Sequence, residues 1–365
     1  MSALLESTLE HLRALVSHDT RNPPRKIGTG GLFDYLRDAL RDFDCTVTDH
    51  GAGAVSFFAV RGTPKLLFNV HLDTVPDSPQ WSASPFELRL GEDRAIGLGA
   101  CDIKGAAAAL VAAAQTTTGP AAFLFTTDEE GSDARCIEAF LAQQRKFDAV
   151  LVAEPTRCEA VLAHRGICSM RMHFAGRAGH ASGSDAMTAS ALHQAVRWSA
   201  RALDYVTAQS HARFGGLTGL RFNIGRIEGG IKANMIAPTT ELRFGFRPLP
   251  SMDTDQLLAT FRGFAEAPLT DYATTFRGPS LPAGDVEQAE SRRLAARDFA
   301  DALGLPVGNA VDFWTEASLF SEAGTTTFVY GPGDIAQAHA ADEWVAFDQL
   351  QRYAESVAKL MADRS

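Results

Sequence analysis

The 365-residue sequence has few cysteines, no long apolar run and no excess of basic residues. Its five cysteines never form a C-x-x-C pair, which argues against a disulfide framework or a zinc finger and favours reduced thiols in a cytoplasmic protein. No apolar run approaches the roughly 20 residues of a membrane span. Because the formal net charge is −10, nothing favours nucleic acid or anionic lipid as a partner. We therefore predict a cytoplasmic protein with no nucleic-acid or membrane partner.

Short apolar runs alternate with helix-favouring stretches through the first half of the chain. The runs "KLLFNV" (65–70), "AAFLFTT" (121–127) and "DAVLVAE" (148–154) are typical of strands buried on both faces. The segments 105–115, which is rich in alanine, and 134–144 favour helices. This alternation predicts an α/β fold, with a mainly parallel sheet and helices on both of its faces.

The pattern changes after residue 165. Alternating stretches that favour half-exposed strands are combined with a long helix at 188–210 and a second helix near 252–264, in the order βαββαβ. That order is typical of a small antiparallel α+β sheet of the ferredoxin-like kind. The chain therefore predicts an inserted domain, here called the lid domain, at 166–276. Its insertion divides the catalytic domain into a first segment, 1–165, and a second segment, 277–365.

Polar residues suited to chemistry follow the predicted strands. They are His71 and Asp73 after the first run, Asp102 after a Gly-rich turn, Asp128, Glu129 and Glu130 after the second run, Glu154 after the third, and His339 after the last strand. Each one alone has a common structural role, such as a helix N-cap or a solvated loop residue. Open α/β sheets, however, place their sites at the carboxyl ends of strands, and five such positions together favour one site.

The chemistry of these side chains favours a metal centre. Imidazole and carboxylate without thiolate suit Zn²⁺, Co²⁺ or Mn²⁺ in an open catalytic site. Adjacent carboxylates are costly to bury unless a cation neutralises them. Asp102 is short enough to present one oxygen to each of two ions, and Asp73 is placed to accept the second ring N–H of His71. Of the adjacent acids, we expect one to ligate a metal and another to serve as a base.

Six ordered motifs carry a resemblance that spans the whole chain. "HLDTVP", "GLGACDIKGA", "TTDEEG", "AEPT", "AGRAGHAS" and "GPGDIAQAHAADEWV" resemble the successive motifs of the di-metal aminoacyl hydrolases. That family includes acetylornithine deacetylase, succinyl-diaminopimelate desuccinylase, aminoacylase and glutamate carboxypeptidase. The resemblance implies a zinc-exopeptidase-like fold and two divalent metal ions, Zn²⁺ or Co²⁺. Ile103 departs from the methionine of many relatives, an apolar exchange that leaves Asp102 unchanged.

The resemblance also assigns roles in the metal site. It implies that His71 and Glu154 hold one metal, that Glu130 and His339 hold the other, and that Asp102 bridges the two. Glu129 matches the general base of the family, which takes a proton from water and delivers it to the leaving amine. Asp73 would orient His71.

Further residues are implied in and around the lid domain. His180 matches a histidine that stabilises the oxyanion, often from the partner subunit, so the resemblance implies a homodimer formed through the lid domain. Asn234 and Arg247 match positions that contact the substrate, and an arginine suits bidentate capture of a carboxylate. We expect the loop "FWTEASLF" with Glu316 to select the substrate side chain, either as a free carboxylate or paired with Arg165.

The flanking residues are most similar to the acetylornithine deacetylase branch. The expected reaction is metal-dependent hydrolysis of an N-acetyl-L-amino acid to acetate and the free amino acid, in arginine biosynthesis. N-acetyl-L-citrulline is the favoured substrate, and N-acetyl-L-ornithine is the alternative. A dipeptidase or desuccinylase on the same scaffold remains open, as does a binding protein without activity, although all six positions for ligands and base are filled.

Overall fold

A computed structural model describes residues 1–362 of the chain. The chain divides into two compact units. Unit 1 comprises Met1–Leu162, Ser291–Asn309 and Thr315–Ser365, and unit 2 comprises Ala163–Glu290 and Ala310–Trp314.

Ten α-helices lie within the described residues. They are α1 (Ala3–Val16), α2 (Leu32–Ala39), α3 (Lys104–Thr116), α4 (Arg135–Leu141), α5 (Ala186–Ala189), α6 (Ala191–Ala208), α7 (Thr254–Gly263), α8 (Ala289–Ala302), α9 (Ala317–Glu322) and α10 (Phe347–Ala362).

Seventeen strands lie within the same residues, several of them only two residues long. They are β1 (Asp44–Asp49), β2 (Val55–Arg61), β3 (Leu66–His71), β4 (Arg89–Leu90), β5 (Arg94–Ile96), β6 (Ala121–Thr126), β7 (Ala149–Val152), β8 (Ile167–Ala175), β9 (Gly179–His180), β10 (Arg213–Phe214), β11 (Leu217–Thr218), β12 (Arg221–Gly229), β13 (Met235–Ile236), β14 (Thr239–Arg247), β15 (Leu269–Gly278), β16 (Thr326–Val329) and β17 (Trp344–Ala346).

Unit 1 is built on a six-stranded sheet in the order β1-β2-β6-β3-β7-β16. The four strands β6, β3, β7 and β16 are parallel to one another. At one edge, β2 is antiparallel to β6, and β1 is antiparallel to β2. Every residue of β3, β6 and β7 is buried, as expected for strands covered on both faces. The carboxyl ends of the four parallel strands therefore meet at one edge of the sheet.

Helices cover both faces of this sheet. Phe57 and Phe58 are successive residues of β2 and point to opposite faces. Phe57 stacks on Phe33 of α2, whereas Phe58 packs on Phe140 of α4. The almost wholly buried, Ala-rich α3 packs against α1 and α10, because its small side chains allow neighbouring helices to approach closely. The predicted fold class, a mainly parallel sheet with helices on both faces, is confirmed.

Unit 2 contains an antiparallel sheet in the order β12-β14-β8-β15, with α6 and α7 packed on one face. Residues of β8 alternate between buried and half-buried, which is the pattern of a sheet with a single covered face. Trp198 of α6 donates its indole N–H to the Phe261 carbonyl oxygen of α7 at 2.7 Å, so the two helices are tied together beneath the sheet. This is the ferredoxin-like arrangement expected from the βαββαβ order.

The borders of unit 2 differ from the predicted lid domain, which ends at residue 276. Residues beyond that point remain attached to unit 2 by backbone pairing and ring packing. His164 and Leu281 exchange two backbone hydrogen bonds of 3.0 and 3.1 Å, and Val311 donates its N–H to the Ala163 carbonyl oxygen at 3.1 Å. Trp314 packs edge-on against Phe276. The chain from 279 to 290 and from 310 to 314 is therefore grouped with unit 2.

Candidate metal centre

The carboxyl ends of the parallel strands in unit 1 carry most of the predicted ligands. His71 ends β3, Glu130 follows β6, and Glu154 follows β7. His339 lies on the segment after β16, and Asp102 lies just before α3. Four of these side chains are almost completely buried, while His339 is half exposed.

These five residues form two groups of three that share Asp102. One group is His71, Asp102 and Glu154, and the other is Asp102, Glu130 and His339; in each, the potential ligand atoms lie within 4.8 Å of one another. Asp102 directs one carboxylate oxygen to each histidine: Oδ1 lies 3.2 Å from His71 Nε2, and Oδ2 lies 3.1 Å from His339 Nε2. The structure thus brings together the five predicted ligands, with Asp102 shared by both groups.

The Nδ1 atom of His71 has both the backbone carbonyl and the carboxylate of Asp73 beside it. This atom lies 3.0 Å from the backbone carbonyl oxygen of Asp73, whereas the nearer oxygen of the Asp73 carboxylate is 3.5 Å away. A carbonyl oxygen can fix the tautomer as a carboxylate does. The other carboxylate oxygen of Asp73, Oδ2, accepts hydrogen bonds from Asn22 Nδ2 at 2.9 Å and from the Glu130 backbone N–H at 3.1 Å. Asp73 therefore also holds the loop that carries Glu130.

The three adjacent acids of "TTDEEG" have different surroundings. Asp128 is fully buried and accepts a hydrogen bond from the Cys136 backbone N–H of α4 at 2.9 Å. Glu130 lies 3.1 Å from His339 Nε2. Glu129 stands between them and interacts electrostatically with His71, Glu130 and Asp102. One acid thus anchors a helix, one is a potential ligand, and one is left beside the ligands as a potential base.

The electrostatics of the site show the cost of gathering these groups. Withdrawal from water, together with the carboxylates around them, raises the pKa values of Glu129 and Glu154 well above the ordinary range. Burial opposes protonation of His71, but Asp102, Asp73, Glu154 and Glu129 together outweigh it and raise the pKa of His71 well above its ordinary value. Contact with Asp102 and Glu130 raises the pKa of His339 to about 11.

Two divalent cations would neutralise this concentration of negative charge, and imidazole and carboxylate are the donors that Zn²⁺ and Co²⁺ accept. The arrangement of the five side chains around one shared carboxylate therefore fits a pair of such ions.

Two buried residues at this site were missed by the sequence reasoning. Asn22, which holds Asp73, lies in a Pro-containing loop without a recognisable signal. Glu343 accepts a hydrogen bond from the Asp102 backbone N–H at 2.9 Å. It stands four residues after His339 within a motif that resembles the family, but a glutamate there is usually a solvated loop residue.

Two of the predicted residues of unit 2, His180 and Asn234, are brought together on a short ladder. His180 of β9 is paired with Met235 of β13, and the Asn234 carbonyl oxygen accepts a hydrogen bond from the Ala181 N–H at 3.0 Å. Both His180 and Asn234 are exposed. The His180 ring contacts the Ser182 hydroxyl at 2.7 Å, which fixes the direction of the ring.

Arg247 ends β14 and is half-buried. Together with Arg221 and Arg243 it lines a groove of about 470 Å³ within unit 2. Arg221 is its cross-strand partner on β12. Arg243 is paired with Glu241 at 2.7 Å and Arg221 lies 3.6 Å from Asp312 Oδ1, and Arg247 is the one of the three that the sequence predicts to bind a carboxylate.

Arg165 and Glu316 have contacts that differ from the predicted pair. Arg165 is fully buried in unit 2, where its guanidinium donates to Asp312 Oδ1 at 2.5 Å and to the carbonyl oxygens of Gly219 and Thr218. Glu316 is fully buried in unit 1 and accepts a hydrogen bond from the Thr126 hydroxyl at 3.0 Å. Burial and the nearby Asp128 raise the pKa of Glu316 to about 8. Arg165 is thus committed to structural bonds, and Glu316 is not an exposed carboxylate.

The family model described as peptidase family M20/M25/M40 matches residues 67–363. The chain belongs to this family. Membership confirms the predicted enzyme class, an amidohydrolase, and with it a metal-binding hydrolase. None of the described helices combines the length and the apolar character needed to cross a membrane.

Relatives with named activities are similar over nearly the whole chain. An N-acetyl-L-citrulline deacetylase from Xanthomonas campestris pv. campestris is 70% identical over 362 residues, covering 99% of both chains. An acetylornithine deacetylase from Vibrio vulnificus is 28% identical over 376 residues, covering 98% of both chains. The chain is therefore much more similar to the first of these two enzymes than to the second.

Solved structures show the same fold. Aminopeptidase PepT from Bacillus cereus superposes with a TM-score of 0.72 at 17% identity, covering 98% of both chains. A protein from Bacillus subtilis described as a dinuclear metal-binding peptidase of the M20 family gives a TM-score of 0.66 at 14% identity, covering 98% of both chains.

Proposed function

We propose that the chain hydrolyses the amide of N-acetyl-L-citrulline, releasing acetate and citrulline. The observation that carries this proposal is the pair of His–carboxylate groups sharing Asp102, in a chain 70% identical over its full length to an N-acetyl-L-citrulline deacetylase. The site supports amide hydrolysis, and the similarity supports the choice of substrate.

We further propose that the ligand set holds two divalent cations, Zn²⁺ or Co²⁺. His71 and Glu154 would hold one ion, Glu130 and His339 would hold the other, and Asp102 would bridge them. Bound cations of this kind polarise the amide carbonyl and lower the pKa of the attacking water. Elemental analysis of the purified protein, followed by reloading with single metals, identifies the native ion.

Glu129 is the proposed general base. It stands next to the ligand Glu130 and interacts with His71 and Asp102, yet it belongs to neither group of three potential ligands. In this role it removes a proton from water and then delivers that proton to the nitrogen of the leaving amine. Asp73 supports the role by holding the backbone of Glu130.

Unit 2 supplies the proposed substrate contacts. Arg247 would hold the α-carboxylate that every acetyl-amino acid retains, because a guanidinium can donate two parallel hydrogen bonds to it. His180 would stabilise the oxyanion, and Asn234, which lies beside it on the same ladder, would contact the substrate.

The buried position of Glu316 bears on side-chain selectivity. A free carboxylate facing the substrate would favour the cationic side chain of ornithine, but Glu316 is 1% exposed and bonded to Thr126. The structure therefore offers no support for attraction of an ornithine ammonium group by this residue. The neutral ureido group of citrulline needs no such charge.

The decisive experiment compares kcat/KM for N-acetyl-L-citrulline, N-acetyl-L-ornithine and a dipeptide on the metal-loaded protein. We expect N-acetyl-L-citrulline to exceed both by at least about tenfold, because hydrogen-bonding sites reject analogues that leave their polar groups unpaired. Glu129→Gln serves as the control for activity from a contaminating enzyme. A tenfold advantage for N-acetyl-L-ornithine would overturn the citrulline assignment, and preference for the dipeptide would identify a peptidase.

We also propose that the protein forms a homodimer through unit 2. Val196 and Leu203 of α6 are about half exposed, and Ile227 of β12 is 40% exposed. Among the described strands, β12 pairs only with β14, so its outer edge offers backbone groups to a partner strand. Sedimentation at micromolar concentration should give twice the chain mass, and Leu203→Glu should shift the protein to monomers. A monomeric wild-type mass would refute the dimer.

Arginine biosynthesis in the cytoplasm is the proposed setting. All five cysteines are free thiols, and four of them are buried, which suits a reducing compartment. Loss of the gene product should cause N-acetyl-L-citrulline to accumulate in the soluble fraction of cells grown without arginine. Normal growth under these conditions, without accumulation, would contradict this placement.

A further inference from the structure

The Glu343 carboxylate lies behind the Asp102 loop and bonds three of its backbone N–H groups. Oε1 accepts from Cys101 at 2.8 Å and from Asp102 at 2.9 Å, while Oε2 accepts from Gly99 at 3.0 Å. Glu343 is only 2% exposed. A single buried carboxylate thus satisfies three converging donors within four residues of chain.

The loop depends on this carboxylate because it is buried and makes few backbone bonds of its own. Residues 98–102 are all buried, so any N–H group left without an acceptor there would be costly. Gly99 adopts a φ of +77°, and a Cβ atom at this position would lie 2.7 Å from the Thr74 side chain. The conformation that aims the three N–H groups at Glu343 is therefore available to glycine and not to larger residues.

Glu343 also connects the two halves of the metal centre. It stands four residues after His339, and its own carbonyl oxygen accepts a hydrogen bond from the Gly97 N–H at 3.0 Å. The segment that carries His339 is thereby hydrogen-bonded, through Glu343, to both ends of the 97–102 loop: to the Gly97 N–H and to the Asp102 N–H. His339 Nε2 and Asp102 Oδ2, which lie 3.1 Å apart, therefore belong to two segments that Glu343 joins.

We infer that Glu343 is a positioning residue for metal binding: its three hydrogen bonds hold the Asp102 backbone so that one carboxylate oxygen faces each histidine. This inference rests on the metal centre proposed above, and it does not depend on the identity of the substrate. Some residues orient metal ligands without touching the metal. Mutation of such a residue typically lowers metal affinity by about 10- to 100-fold.

The test measures Co²⁺ binding to the full-length protein after metal removal, for the wild type and for Glu343→Gln and Glu343→Ala. Gln keeps the shape but places an NH₂ group against at least one of the three N–H donors, whereas Ala removes both acceptor oxygens and with them all three hydrogen bonds. We expect the affinity for at least one Co²⁺ to fall by about 10-fold in Glu343→Gln and by about 100-fold in Glu343→Ala. The visible absorption of bound Co²⁺ should also change, because the geometry around Asp102 changes.

Asp342→Asn is the matched control. Asp342 is the neighbour of Glu343, but its side chain is 36% exposed and bonds Arg89 and Ser82 at the surface. Asp342 has a φ of +55°, a conformation that Asn adopts as readily as Asp. We expect Co²⁺ affinity and absorption within twofold of the wild type for this variant.

Thermal unfolding separates positioning from a general loss of stability. If Glu343 positions Asp102, the increase in Tm produced by Co²⁺ should shrink in both Glu343 variants, because ligand stabilisation follows affinity. A fall in Tm that is equal with and without Co²⁺, with unchanged affinity and absorption, would overturn the inference. If Glu343→Ala does not fold, the Gln variant decides the question. A wild type that binds fewer than two Co²⁺ ions refutes the metal centre itself, whereas one that binds two but does not hydrolyse N-acetyl-L-citrulline refutes only the substrate.

Discussion

Charged side chains lie beyond the strand ends of the six-stranded sheet in unit 1 and along the strands of the four-stranded sheet in unit 2, and the two arrangements differ. In unit 2 opposite charges stand in pairs along the sheet: Arg171 with Asp271 at 2.9 Å, and Arg243 with Glu241 at 2.7 Å. In unit 1 the carboxylates gather in a buried group at the strand ends, and the ion pairs of Asp102, Glu130 and Glu154 are with histidines.

The difference shows which charges indicate a function. Exposed pairs of opposite sign neutralise one another and contribute little. A buried excess of one sign is costly, and a protein retains it where a ligand of opposite charge is to be bound. The buried carboxylates at the strand ends of unit 1 therefore indicate a cation site, while most of the charged groups of unit 2 maintain a solvated surface. The following substitutions test this comparison.

The largest effect is expected for Asp102→Ala. Removal of the shared carboxylate leaves two incomplete ligand pairs, so at least one of the two metals should be lost and hydrolysis should become undetectable. Metal analysis after dialysis measures the first effect, and circular dichroism checks the fold. Two tightly held ions in this variant would show that Asp102 does not bridge.

Glu129→Gln should leave the metal count near two and reduce turnover by about two to four orders of magnitude, because the amide cannot accept a proton. Measurement of kcat alongside metal content separates this effect from the loss of a ligand. Turnover within a few-fold of the wild type would rule out Glu129 as the base, and would weaken the claim that the excess carboxylates of unit 1 are functional.

Arg247→Ala is expected to be the exception among the charges of unit 2. Loss of its two donors to the substrate carboxylate should lower kcat/KM by about 100-fold without changing metal content. Arg247→Lys keeps the charge but not the paired geometry and should recover only part of the activity. If both variants hydrolyse substrate as the wild type does, the carboxylate is held elsewhere.

The smallest effect is expected for Asp271→Asn, which breaks the pair with Arg171. Since exposed ion pairs are largely screened by water, Tm should stay within about 3 °C of the wild type and kcat/KM should be unchanged. Differential scanning calorimetry and a standard assay measure these quantities. A large loss of either would mean that the charges on this sheet have a role beyond solubility.

Much of the architecture could be predicted because local patterns and the fold agree. The mainly apolar runs at 65–70, 121–127 and 148–154 correspond to β3, β6 and β7, and the order of strands and helices anticipates both sheets. The potential ligands were accessible to prediction for the same reason: parallel strands bring their carboxyl ends to one edge, so residues distant in sequence meet there.

Contacts that depend on the course of a loop could not be predicted. Asp73 follows His71 by two residues, and the sequence predicts that its carboxylate faces the imidazole; the turn also brings the Asp73 carbonyl oxygen to 3.0 Å from Nδ1, nearer than the carboxylate at 3.5 Å. Arg165 was a candidate partner of Glu316, but Asp312 lies next to it, within the residues grouped with unit 2. The three backbone N–H groups that donate to Glu343 converge because of the backbone conformation at Gly99.

The discontinuity of unit 1 affects how the chain can fold during its synthesis. A nascent chain ending near residue 290 already contains every strand of the four-stranded sheet of unit 2, but it lacks β16, α10 and His339. Until β16 is made, one edge of β7 has no neighbour, and the carboxylates at the strand ends lack one of their two histidines. Domains generally fold as the ribosome releases them, starting from the N-terminus. Unit 1 therefore cannot complete its sheet until β16 has been synthesised. Unit 2, whose last residue is Trp314, can be complete earlier.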